Sequence, residues 1–108
     1  MKITLCGSTR FRDTYNKVNV MLTLAGHVVY SVASADESVK TDNNVVYDLV
    51  HLLIILNSDA IFIIDRHLGD DTSEPYIGES TRKEIKFAKM TGKEIIQFKW
   101  LNSYSVPL

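Results

Sequence analysis

The hydrophobic positions change period several times along this chain, and each change marks an element. Ile3-Thr4-Leu5-Cys6 is short and mostly apolar, which predicts a buried strand, and the small, polar Gly7-Ser8-Thr9 predicts a turn after it. Phe11, Tyr15, Val18, Met21, Leu22 and Ala25 then recur at steps of three and four, placing them on one face of a helix. Gly26 supplies the left-handed conformation that closes such a helix. His27-Val28-Val29-Tyr30 predicts a second strand. Ser31 to Asn44 is polar and without period, a loop in which Asp42 or Asn43 caps the next helix. That helix runs from about Asn44 to Asn57 and is apolar on most sides, which predicts burial on most sides. Asp59 to Asp65 holds four consecutive apolar residues, Ile61 to Ile64, the signature of a central parallel strand covered on both faces. A loop from Arg66 to Gly78, a helix from about Ser80 to Thr91 closed by Gly92, and a strand from Glu94 to Phe98 complete the series.

Strands alternating with helices predict an α/β fold: a three-layer α/β/α arrangement with a flavodoxin- or Rossmann-like open parallel sheet of roughly four to five strands. The chain's 108 residues predict one domain spanning 1–108. In such sheets ligands bind beyond the carboxyl ends of the strands, where strand order reverses. That rule selects Gly7 to Arg12, the loop after Tyr30, and Asp65 to Glu84.

Two of these pieces carry candidate chemistry. Cys6-Gly7-Ser8-Thr9-Arg10-Phe11-Arg12 places a small-residue turn, a helix start and two arginines together. Exposed backbone N–H groups and guanidinium forks suit a phosphate, although the same stretch also reads as a tight turn with surface arginines. The second piece is rich in carboxylates: Asp65, Asp70, Asp71, Glu74, Glu79 and Glu84. A carboxylate near a helix start is kept ionised by the helix dipole, as a glycosyl-transferring nucleophile requires. Equally, Glu84 reads as a simple complement to that dipole.

Ser80-Thr81-Arg82-Lys83-Glu84-Ile85-Lys86-Phe87-Ala88 resembles the helix-start motif of the nucleoside 2-deoxyribosyltransferase family, in which a Glu-Ile pair supplies the nucleophile. Ser58-Asp59-Ala60-Ile61-Phe62-Ile63-Ile64-Asp65 is similar to the family strand that ends in an active-site Asp. Leu5-Cys6-Gly7-Ser8-Thr9-Arg10 is similar to the first loop of the related deoxynucleoside 5′-monophosphate N-glycosidases. The likeness in element order spans nearly the whole chain, and these three motifs carry its specificity. It implies Glu84 as nucleophile on C1′ of a 2′-deoxyribosyl group. Asp65 would hold a sugar hydroxyl or protonate the leaving base, its pKa raised by burial beside Glu84. Gly7, Ser8, Thr9, Arg10, Arg12 and Ser80 would surround a 5′-phosphate. A second family Asp, six residues before the nucleophile, falls on Gly78, with Glu79 adjacent as its substitute. Lys86 stands where the family has glycine, and Asn102 is the one tail candidate for an Asn that family members draw from a neighbouring subunit. The implied function is cleavage or transfer of the N-glycosidic bond of a 2′-deoxynucleoside or its 5′-monophosphate. The alternatives are a catalytically silent nucleotide-binding module and a small partner-binding protein.

Composition narrows the partners. Twelve Lys and Arg against 13 Asp and Glu leave a net charge of −1, which points away from a nucleic-acid polymer. A single cysteine argues against an internal disulfide framework and against a Cys-based zinc site, and His27, His51 and His67 are too scattered in sequence to predict a metal triad. No metal or organic cofactor is expected. His51 reads as a packed or interface residue and Cys6 as a packing residue. Lys83, Lys86, Lys89 and Lys93 read as a solvated face. Met1-Lys2 runs directly into a strand and no apolar run exceeds the five residues of Leu52 to Leu56, too short to span a bilayer, so the expected location is the cytoplasm. Nine apolar residues between Val45 and Leu56 exceed what one face of a small sheet can cover, which predicts a homodimer or higher homo-oligomer.

Overall fold

The computed structural model describes residues 1–31, 44–69 and 74–98. The expected caps Asp42 and Asn43, the acidic pair Asp70 and Asp71, and the tail candidate Asn102 lie outside the described residues. Among the described residues four strands and three helices alternate: β1 (Lys2–Gly7), α1 (Arg12–Leu24), β2 (Val28–Tyr30), α2 (Asn44–Leu56), β3 (Ala60–Ile64), α3 (Glu79–Met90) and β4 (Glu94–Ile96). The strands form one parallel sheet in the order β2-β1-β3-β4, so the fold is the expected open α/β sheet. No helix among the described residues is long and apolar enough to cross a membrane.

Side chains alternate between the two faces of the strands, as the pleat requires. Ile3 and Leu5 of β1 join Ala60, Phe62 and Ile64 of β3 beneath Val18 and Leu22 of α1. Cys6, Ile61 and Ile63 point the other way and meet Ile55 of α2 and Ala88 of α3. The sheet is therefore covered on both faces, which is why β3 reads as an unbroken apolar run.

Most boundaries fall within a residue or two of the expected ones. The first helix differs: a single 3-10 turn, Thr9–Phe11, precedes α1. Local hydrogen bonds produce it, since the Ser8 hydroxyl accepts from Arg10 N at 3.3 Å and the Ser8 carbonyl from Phe11 N at 3.1 Å. The expected glycine closures are present, with Gly26 at φ 91° and Gly92 at φ 74°.

Candidate functional site

The chain leaves β1 towards β2 on one side and later enters β3 on the other, so strand order reverses between β1 and β3. The crevice beyond their carboxyl ends is where this architecture binds ligands. Gly7, the last residue of β1, pairs with Ile64 of β3. A Cβ on Gly7 would lie 2.2 Å from the Ile64 carbonyl oxygen, so only glycine allows the two strands to stay this close at the mouth. The Gly7 carbonyl accepts from the Tyr15 hydroxyl at 2.7 Å, tying α1 to the same point.

Along α3, Thr81, Glu84 and Ala88 are buried at steps of three and four, facing inward, while Arg82, Lys83, Lys86 and Lys89 are exposed. Glu84 is 8 % exposed and lies in the second turn of the helix. A helix dipole acts chiefly within the first turn, so the dipole is not the main support of this carboxylate. That support comes from α2: His51 Nδ1 lies 3.2 Å from Glu84 Oε1. His51 Nε2 lies 3.2 Å from the Leu5 carbonyl oxygen. Both ring nitrogens thus face acceptors, an arrangement that the doubly protonated ring satisfies with one N–H to each. Burial favours the neutral ring, but the Glu84 hydrogen bond and charge, the Leu5 carbonyl and Asp48 outweigh it and raise the His51 pKa above its ordinary value. His51 is therefore the charge partner of Glu84, a role that its place on an apolar helix concealed.

Cys6 closes the cluster. Its sulfur lies 3.7 Å from His51 Nε2, and the thiol pKa is pushed well up by burial and by the charge and hydrogen bonding of Glu84. Tyr15 is also pushed up, by burial first and then by Cys6 and Glu84. Glu84 Oε2 is buried and has no hydrogen-bond partner among the described residues. One carboxylate oxygen is thus held by an imidazole, while the other meets no donor among the described residues.

Asp65 pairs with its own neighbour in the chain. It is half-buried at the end of β3, and its carboxylate accepts from Arg66 Nε at 2.9 Å and from a second guanidinium nitrogen at 3.5 Å. The guanidinium holds the carboxylate by charge-assisted hydrogen bonds. The Asp65 carbonyl accepts from Tyr76 N at 2.7 Å, which fixes the segment leading into α3.

The first loop and that segment meet through a cation–π contact, with the Arg10 guanidinium 3.5 Å from the centroid of the Tyr76 ring. Thr9, Arg10, Arg12, Glu79 and Ser80 are exposed, whereas Gly7, Ser8 and Gly78 are half-buried. Gly78 is the N-cap of α3, and its carbonyl accepts from Arg82 N at 3.0 Å. Glu79, the expected substitute for the second Asp, faces solvent and pairs with Lys83 at 3.8 Å.

No family model and no curated protein matches this chain. Among solved structures it resembles a 2-deoxyribosyltransferase from the psychrotolerant bacterium Bacillus psychrosaccharolyticus, with a TM-score of 0.65 and 21 % identity over 90 % of this chain and 71 % of that one. It also resembles the Leishmania mexicana 2-deoxyribosyltransferase, with a TM-score of 0.63 and 19 % identity over 99 % of this chain and 73 % of that one. At these identities the likeness is one of fold: the open α/β sheet found here is the fold of those two enzymes over most of their length.

Proposed function

We propose that this protein cleaves or transfers the N-glycosidic bond of a 2′-deoxynucleoside or its 5′-monophosphate, with Glu84 as nucleophile. The observation that carries the reading is the state of Glu84. It is a buried carboxylate at the ligand-binding end of the sheet, with Oε1 held by His51 and Oε2 without a partner among the described residues. A carboxylate stripped of water and held on one oxygen presents the other to an electrophilic carbon. The fold shared with two 2-deoxyribosyltransferases supports the same reading.

In this mechanism Glu84 Oε2 forms a bond to C1′ while the C1′–N bond breaks, its electron pair leaving with the base. The base takes a proton from the medium. Protonated His51 holds Glu84 Oε1 in place before attack. Asp65, paired with Arg66, accepts from a sugar hydroxyl. Water then attacks the glycosyl ester and frees the sugar, or a second base attacks and forms a new nucleoside. Either route regenerates the carboxylate. Gly7, Ser8, Thr9, Arg10 and Arg12, with Gly78 and Ser80 opposite, line the entrance for the sugar and its 5′-phosphate. The Arg10–Tyr76 contact already joins these two sides.

The same reading includes self-association through α2. Ile55 is buried, but Val45, Val46, Leu49, Val50, Leu53 and Leu56 are 42 to 66 % exposed. An apolar helix face of this extent is characteristic of an interface, and a two-fold pairing of α2 with its copy covers it.

The test is chromatographic detection of free base after incubation with each deoxynucleoside and each 5′-monophosphate, with and without an acceptor base. Base release by the wild type and not by Glu84→Gln is the expected result. A new nucleoside that needs added acceptor identifies transfer. Silence across the panel, with the same compounds still raising the melting temperature, selects the catalytically silent nucleotide-binding module instead.

A further inference from the structure

The cluster behind the candidate nucleophile has the composition of a transition-metal site. Cys6, His51 and Glu84 come from β1, α2 and α3, and one ligand atom from each lies within 4.8 Å of the other two. Donors around a tetrahedral zinc ion, at about 2.0–2.3 Å from the metal, stand roughly 3.3–3.7 Å apart. His51 Nδ1 and Glu84 Oε1 are 3.2 Å apart, close to that spacing before any ion enters. The sulfur lies 3.7 Å from the other ring nitrogen. A second observation points to a ligand here: the buried Glu84 Oε2 has no hydrogen-bond partner among the described residues.

We propose that Cys6, His51 and Glu84 bind a zinc-type divalent ion, and that this ion switches the site off by occupying the carboxylate. Thiolate, imidazole and carboxylate together suit zinc or cobalt rather than magnesium or calcium, which take oxygen ligands. The ion replaces the proton shared by His51 Nδ1 and Glu84 Oε1. The His51 Nε2–H stays on the Leu5 carbonyl and keeps the ring aligned, the usual outer support of a metal-bound histidine. Binding releases the thiol proton and the extra ring proton, so the thiolate and carboxylate balance the two charges of the ion. Three protein ligands leave a fourth position for water.

Metal binding stands independently of the proposed reaction; only the inhibition rests on it. Chelator-treated protein is titrated with Zn²⁺ by equilibrium dialysis, and with Co²⁺ while recording the visible and near-ultraviolet spectrum. One zinc per chain is expected, together with a thiolate-to-cobalt charge-transfer band. Cys6→Ser, His51→Gln and Glu84→Gln should each weaken binding by about tenfold or more, within the range seen for lost metal-site groups. Should a variant fold poorly, the wild type alone still decides the matter, because zinc must raise its melting temperature and chelator must reverse the rise. Equal zinc binding by wild type and Cys6→Ser, or a cobalt complex without the sulfur band, overturns the proposal. A cobalt band with no base release from any substrate leaves the metal site standing and the glycosidic reading fallen. Base release that depends on Glu84 but persists in saturating zinc leaves the glycosidic reading standing and overturns the inhibition.

Discussion

The two faces of the sheet are built from the same strands and differ in kind. Beneath α1 lies hydrocarbon: Ile3, Leu5, Ala60, Phe62 and Ile64 packed under Val18 and Leu22. Beneath α2 and α3 the apolar packing of Ile55, Ile61, Ile63 and Ala88 is joined by Cys6, His51 and Glu84. One face holds the domain together, and the other carries buried groups whose protonation and charge depend on one another. Two adjacent positions make the division in β1, since Leu5 packs towards α1 and Cys6 towards α2 and α3. Tyr15 links the faces: its ring packs against the α1 core, while its hydroxyl reaches Gly7 and feels Cys6 and Glu84.

The contrast breaks most sharply at Glu84. Glu84→Gln should reduce base release by at least about a thousandfold, the scale of losing a covalent nucleophile, while chromatography of the products reports any residual turnover. Unchanged release would remove Glu84 from the chemistry. On the opposite face, Phe62→Ala should cost about 3–5 kcal/mol in urea unfolding, because the ring is fully buried and meets Phe98 edge-on at 5.5 Å. A much smaller loss would mean that this core is loosely packed.

His51→Gln tests the polar face by its pH dependence. The folded-state pKa of His51 is raised, so its contribution is complete below the unfolded value of about 6.5 and is lost as pH rises through the higher folded value. The stability gap between wild type and His51→Gln should therefore be widest in mild acid and close towards alkaline pH. A gap independent of pH would leave His51 a packing residue. The smallest effect on the fold itself belongs to Leu53→Glu. Leu53 is 58 % exposed, so chain stability should change by no more than about 0.5 kcal/mol, while light scattering reports a shift from dimer to monomer. Wild type that is already monomeric at micromolar concentration would end the α2 interface.

The legible part of the candidate site was the part encoded by local pattern. Glu84 stood out because it lies near a helix start, within a motif that resembles a known nucleophile's surroundings. Asp65 stood out because it ends the most apolar strand. The pairings of these residues were not legible. Glu84 meets His51 rather than Asp65, and Asp65 meets its own neighbour Arg66. No periodicity in the sequence distinguishes a histidine that packs from one that pairs with a carboxylate on another helix. Glu79 illustrates the same limit: one residue earlier than Ser80 on α3, it points to solvent and Lys83, not into the crevice.

The alternation of strands and helices follows from the amino-acid order alone, because pleat and helical period are written into nearest-neighbour spacing. The same order also determined which strand is central, because only a strand covered on both faces is apolar at every position. The strand order β2-β1-β3-β4 and the meeting of Cys6, His51 and Glu84 were decided by tertiary structure alone. The physical reason is distance along the chain. Those side chains belong to three different elements, and only the parallel pairing of β1 with β3, with α2 and α3 packed across them, brings their polar atoms within reach of one another.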